Sequence, residues 1–143
     1  MGKTITAQDL DLSLAKDDEA GLFSWLLASF LMGKRINAAI AAEAYRVIAI
    51  NHQRNTPRKL AQCTHRQLVV MLNEAHYSRY DESTAERLLL LANKLNSDYG
   101  GKVSHIRAHS ANRDAFEQRL FDFKGIGPKT VEIFMREAGP VLY

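Results

Sequence analysis

Cysteine is almost missing from this 143-residue chain, in which Cys63 stands alone. A single thiol excludes an internal disulfide, and it equally excludes a four-cysteine zinc or iron–sulfur site. Long hydrophobic runs are missing too. The apolar stretch at residues 22–32 is broken by Ser24 and Ser29 and halts at Gly33, Lys34 and Arg35, well short of the roughly 20 residues of a membrane span. No basic leader opens the chain: Asp9, Asp11, Asp17, Asp18 and Glu19 follow closely, which is unlike a secretory signal. These absences together predict an intracellular, cytoplasmic protein with no membrane partner. Of the five histidines, His52, His65 and His76 share no helical register, and His105 and His109 share i,i+4 spacing without a neighbouring acid. No transition-metal site is expected. Strand signals, internal repeats and low-complexity tracts are absent as well.

What the chain does contain is helix periodicity. Hydrophobic residues make up 46% of it, enough for one core but not for two full domains at this length. We read residues 1–18 as an N-terminal segment with a turn over 7–14, and residues 19–143 as one helical domain. Leu22, Phe23, Leu26, Leu27, Phe30 and Leu31 predict a buried helix over 19–32, with Trp25 near one edge and Gly33 closing it. Small residues at Ala39 and Ala44 beside Ile40, Val47 and Ile48 predict a second helix over 36–50 that packs closely, then a polar loop at 51–55.

Capping signals mark the later elements. Thr56-Pro57 opens a short helix, Thr64 and Gln67 form a capping box before Leu68, and Ser83 and Glu86 suggest another box before Leu88. That helix should end at Gly100-Gly101. Helices over 110–121 and 128–138 complete the count at six or seven, with Gly139-Pro140 as the last stop. The predicted class is all-α.

Between the final two helices lies Phe121-Asp122-Phe123-Lys124-Gly125-Ile126-Gly127-Pro128-Lys129-Thr130. Gly125 and Gly127 lack a Cβ and accept positive φ, so an anion can come close to the main chain there. Pro128 suits the first turn of a new helix, whose free N–H groups and positive dipole end would face that anion, with Lys129 and Thr130 beside it. A Walker A loop does not fit, because Pro128 stands where glycine must precede the Lys-Thr pair. An ordinary tight turn between packed helices would also use these residues. Apolar anchors on both sides favour the more specific motif: Phe116, Leu120, Phe121 and Phe123 before it, and Val131, Ile133, Phe134 and Met135 after it.

Charge is uneven along the chain. Lys34, Arg35, Arg46, Arg54, Arg58, Lys59 and Arg66 are accompanied by one nearby acid, Glu43, a pattern that suits either a phosphate-binding face or cations scattered over several helices.

The glycine bend with its flanking helices is the spacing of a helix-hairpin-helix motif, and from about residue 20 to 138 the chain resembles the helix-hairpin-helix DNA glycosylase superfamily, endonuclease III-like branch. Residues 22–31 are similar to the opening helix of that family's six-helix barrel. Residues 32–37 fall in the loop where the family places DNA-contacting side chains, here Lys34, Arg35 and Asn37. Residues 80–88 are similar to its helix before the long run to the hairpin, and Tyr99-Gly100-Gly101-Lys102-Val103 to its connector.

The resemblance implies binding of duplex DNA, damaged or abasic, through Lys124, Gly125, Ile126, Gly127, Lys129 and Thr130, with Lys34, Arg35, Asn37, Arg79 and Tyr80 reaching toward an extruded nucleotide. It places Lys129 as the amine nucleophile of a glycosylase or abasic-site lyase. It suggests a monovalent cation at the carbonyls of Lys124 and Ile126, and no other cofactor. It also implies an aspartate beyond the hairpin helix that stabilises charge on the sugar. After Lys129 the only acids are Glu132 and Glu137, and Glu132 should form a surface i,i+3 pair with Lys129. The expected catalytic pair is therefore incomplete. An active enzyme, a non-catalytic DNA-binding module and a helical interaction protein all stay open.

Overall fold

The apolar run at residues 22–31 becomes the axis of the molecule. In the computed structural model, which describes residues 4–143, α1 (Glu19–Met32) is buried at every position from 21 to 32. A helix that is apolar on all sides has to be surrounded. Accordingly α2 (Ala38–Tyr45), α6 (Val103–Ala108) and α8 (Pro128–Leu142) pack against it. Two buried polar tips tie this axis to its neighbours: Trp25 Nε1 donates to the Phe134 carbonyl of α8 at 3.2 Å, and Tyr77 Oη donates to the Leu31 carbonyl at 3.0 Å. Trp25 thus belongs to the core.

Around that axis the described residues form eight α-helices and no strand. A second layer is organised by α5 (Asp81–Tyr99), on which α3 (Pro57–Ala61) and α4 (His65–Glu74) pack, while α7 (Arg113–Phe121) packs on α6 and α8. None of the helices is long and apolar enough to cross a membrane among the described residues. Two caps form as read: Thr56 accepts from Lys59 N–H, and Thr64 and Gln67 make both bonds of their box. Asp18, not singled out by the sequence, also caps α1 by accepting from Gly21 N–H. Each satisfies main-chain donors that the first turn leaves open.

Other boundaries differ from expectation. The helix predicted over 36–50 is α-helical only to Tyr45 and continues as a π-helical turn over Arg46–Asn51. The Ser83–Glu86 box does not form. Instead α5 starts at Asp81 after Tyr80 in the left-handed region at φ +65°, and Ser83 Oγ donates to the Tyr80 carbonyl at 3.2 Å. Residues 103–108, left between two predicted helices, form α6, and α7 begins after its cap Asn112 rather than at Ser110. The predicted N-terminal turn shrinks to a 3₁₀ turn, Gln8–Leu10, docked on α8 through Ala7 N–H to Glu137 Oε2 at 2.7 Å.

Gly139-Pro140 does not end α8, which runs on to Leu142. Proline removes a donor and normally breaks a helix, but here tertiary packing holds the last turn. Arg107 Nε donates to the Leu142 carbonyl at 2.6 Å, Leu142 is buried, and the missing side chain at Gly139 leaves room for the Arg113 guanidinium at about 3 Å.

Candidate nucleic-acid interface

Six residues, 122–127, turn the chain from α7 into α8, and the pattern of burial along them fixes the loop. Phe123 and Ile126 plug into the core, whereas Asp122 and Lys124 are exposed. The Phe123 ring stacks on Tyr99 at 6.1 Å, and behind the loop Phe116 stacks on Phe134 at 6.4 Å. Such buried aromatic anchors hold a bend in one conformation. Phe121, read as an anchor, instead faces solvent, because α7 ends there with its apolar side formed by Phe116 and Leu120.

The two glycines of the bend meet different surroundings. Gly125 has φ +94°, and a Cβ there would stand 2.8 Å from Arg87 Cδ and 3.2 Å from the Phe30 ring. Both its conformation and its space demand glycine. Gly127 has φ −111°, ordinary for any residue, and nothing lies within 4 Å of where its Cβ would be.

Main-chain donors remain open along the same stretch. Ile126 N–H bonds to the Phe123 carbonyl at 3.0 Å and Val131 N–H to the Gly127 carbonyl at 3.2 Å. The N–H groups of Gly125, Gly127, Lys129 and Thr130 have no partner among the described residues, and no side chain caps α8. They lie at the positive end of a 15-residue helix, a setting that favours an anion. Of the loop carbonyls, that of Gly125 accepts from Lys34 Nζ at 3.3 Å. Those of Lys124 and Ile126 have no partner among the described residues.

Side chains from three other segments converge on this bend. Where α1 stops, Gly33 lies against the Thr130 hydroxyl, since any Cβ there would collide with it. Thr130 is therefore buried and its side chain is turned away from solvent, which withdraws its hydroxyl from the contact expected of it. The next residue, Lys34, reaches over the Phe30 ring (5.2 Å to the centroid) to the Gly125 carbonyl. Burial, together with the nearby Arg87 charge, holds the Lys34 ammonium below its ordinary pKa. Lys34 and Arg35 share a pocket of about 300 Å³ with Gly33, Tyr80, Ser83 and Arg87.

Tyr80 sits at the mouth of that pocket, 42% exposed, in a left-handed conformation that is costly for a bulky residue. Arg79 lies over its ring at 5.1 Å. Arg87, which the sequence reading did not select, touches both halves of this arrangement. It lies two turns into α5 and carries no local motif, so only the three-dimensional contact with Gly125 and Lys34 reveals it.

Other expected residues go elsewhere. Asn37 caps α2, its Oδ1 accepting from Ala39 N–H at 2.8 Å. Lys129 is exposed and lines a different pocket, of about 270 Å³, with Ile5, Met32, Ile36, Glu132 and Arg136. The i,i+3 ion pair expected between Lys129 and Glu132 does not form among the described residues. The basic run of residues 34–66 also divides: Arg46 pairs with Glu43 at 3.7 Å, and Arg54 and Arg66 line a separate pocket with His52 and Glu74. Lys34, Arg35, Arg79, Arg87, Lys124 and Lys129 enter no ion pair among the described residues, and neither do Arg54, Arg58, Lys59 and Arg66. No group of three or more His, Cys, Asp or Glu side chains able to hold a metal occurs among the described residues, and Cys63 is buried, which pushes its thiol pKa up.

Set against models of known families, against curated proteins and against solved structures, the chain matches none.

Proposed function

We propose that this protein binds duplex DNA as a helix-hairpin-helix protein of the base-excision repair type, with glycosylase or abasic-site lyase activity on damaged or base-free nucleotides. The observation that carries this reading is the outward half of the bend. Neither its backbone angles nor its neighbours give Gly127, the N-cap of α8, a steric reason to be glycine, a residue which that position accepts along with several others. Close approach of a ligand to the main chain is such a reason. The open N–H groups of Gly127, Lys129 and Thr130 would hold a phosphate, with Lys124 and Lys129 adding charge on either side. The free carbonyls of Lys124 and Ile126 are the atoms to which a monovalent cation would bind.

Unpaired cations around the pocket of Lys34, Arg35 and Arg87 extend that surface, and Tyr80 offers a ring on which a base can stack. The experiment is a salt titration of duplex binding followed by fluorescence anisotropy. For roughly five neutralised phosphates, log K against log salt should fall with a slope of about −4 to −5. An absence of measurable binding at low salt sinks the proposal and leaves a helical interaction protein.

A second reading is favoured by one specific observation. The pocket beside the bend is lined by cations and hydroxyls without a carboxylate, and the acids that follow Lys129 lie within α8 itself. A DNA-binding module that performs no base excision fits those facts. Release of a damaged base from a duplex, read by chromatography, separates the two.

A further inference from the structure

We infer a second binding site, in the pocket between the π-helical turn and α4, that takes a small organic anion: one carboxylate or phosphate head on an apolar body. It is independent of the DNA reading above. The pocket has a volume of about 360 Å³, and an uncommon backbone shapes one of its walls. A π-helical turn, rare in proteins and frequent at functional sites, covers Arg46–Asn51. Gln53 follows at φ +57°, a left-handed conformation that costs a residue with a side chain. The chain then turns back, Arg54 N–H bonds to the Ile48 carbonyl at 2.9 Å, and Arg54 lines the pocket. The facing wall is α4, where Arg66, Val70 and Glu74 succeed one another at i,i+4 spacing and so share one stripe.

Hydrogen-bond accounting identifies what is left for a ligand. Thr64 and Gln67 spend their side chains on the capping box, at 3.1 and 2.8 Å. Both carboxylate oxygens of Glu74 face His52 Nε2, at 3.1 and 3.2 Å. The two guanidinium groups are different. Arg66 is exposed and makes no hydrogen bond or ion pair among the described residues. Arg54 makes one long contact, Nη1 donating to the Lys59 carbonyl at 3.5 Å, and its Nε is buried without a partner. A buried donor of a charged group is costly to leave unmet. The unpartnered side chains of the pocket are thus cationic donors, which select an anion and match the paired oxygens of a carboxylate or phosphate.

An inorganic ion would leave the rest of the pocket unused. On the stripe between Arg66 and Glu74, Val70 is 51% exposed, and Met71 lies beside it in the lining. An apolar body attached to the anionic head would cover this surface. Glu74 stands two helical turns from Arg66, about 12 Å along the axis, and its charge excludes a second anionic group at that end. The ligand is therefore anionic at one end only.

The test is titration of the isotope-labelled chain with phenylacetate, phenyl phosphate, neutral phenylacetamide and inorganic phosphate, followed by NMR of the arginine Nε–H signals and the α4 amides. Phenylacetate or phenyl phosphate should move the Arg54 Nε–H signal and the amides of residues 66–71 along a saturating curve, and the tighter of the two identifies the head group. Phenylacetamide should give no saturation over the same range, and inorganic phosphate should bind roughly 10-fold more weakly than phenyl phosphate. Arg66→Gln should weaken binding roughly 10- to 100-fold by removing one charge-assisted contact. Val70→Asp, at a second exposed position, should do the same by repelling the head; thermal melts confirm that both variants fold. Equal binding of acid and amide overturns the inference by revealing an apolar groove without anion selection. Equal binding of the two phosphates overturns it by revealing a cationic surface that any ion visits, and no saturable shift with any compound overturns it outright. Duplex affinity should be unchanged in Arg66→Gln; a matching loss there assigns Arg66 to the nucleic-acid face and also overturns the second site, whereas a chain that binds no duplex leaves it intact.

Discussion

Gly125 and Gly127 stand two residues apart and are glycine for opposite reasons. The inward one is fixed by the protein: its φ of +94° and the nearness of Phe30 and Arg87 admit no side chain. The outward one is fixed by nothing in the protein, with φ −111° and open space beside it. One half of the bend is thus explained by steric demand, and the other half leaves room for a ligand. The cations divide less sharply. Arg46, Lys94, Arg113 and Arg136 are paired with acids, whereas Lys34, Arg35, Arg79, Arg87, Lys124 and Lys129 are not. Unpaired cations also occur elsewhere, Arg58, Lys59 and Lys102 among them, so it is the grouping of Lys34, Arg35 and Arg87 in one pocket, rather than the lack of an ion pair, that sets this surface apart.

Substitution can break this contrast. Gly127→Val should lower duplex affinity by roughly 10²- to 10⁴-fold, the loss of about two amide–phosphate bonds at 1.5–3 kcal/mol each. Its stability should stay within about 0.5 kcal/mol of the unmodified chain. Anisotropy and a thermal melt on the same sample check both halves, and unchanged affinity would remove the reason for a ligand at this loop. Gly125→Ala should do the reverse on the melting curve. Positive φ costs a non-glycine residue about 1–2 kcal/mol, and contact with Phe30 adds to it. The expected fall in Tm is therefore roughly 5–8 °C.

The inward half can also be loosened by pH. Burial pushes the Tyr77 hydroxyl up from its ordinary value of 10.0 to about 12. The folded state thus binds this proton more tightly than the unfolded chain does. Its contribution is complete below pH 10 and disappears as pH rises from 10.0 through about 12. It should amount to on the order of 2 kcal/mol, measured as the difference between denaturant curves of the unmodified chain and Tyr77→Phe across that interval. The smallest effect is expected at Asn37. Loss of its cap in Asn37→Ala should cost about 1 kcal/mol and leave duplex affinity unchanged; a marked loss of affinity would restore it to the binding surface.

Periodicity and capping chemistry made most of the fold legible in advance. Phe23, Leu26, Leu27, Phe30 and Leu31 announce α1, and Thr56-Pro57 and Thr64–Gln67 announce α3 and α4, because those signals act within a few residues. What sequence reading missed depends on partners far along the chain. The run through Pro140 needs Arg107 and Arg113, the early start of α5 needs Tyr80 in a strained conformation, and α6 is short and follows the Gly100-Gly101 pair. The candidate site divides the same way. The bend itself is a local pattern, but Arg87 belongs to it only through contact with Gly125 and Lys34, and Asn37 leaves it because its side chain finds Ala39 N–H first. Thr130 was chosen for a hydroxyl that packing against Gly33 turns inward.

Because α1 is enclosed on every side and both the bend and the Tyr80 loop are fastened to its C-terminal end, neither jaw of this surface can swing without opening the core. Phe30, Leu31 and Gly33 serve as the shared mount. A nucleic acid that docks here therefore meets an unyielding template and must supply the distortion itself. Sites already weakened by a missing or mispaired base deform at least cost, so on the proposed reading rigidity alone would favour such lesions over intact duplex.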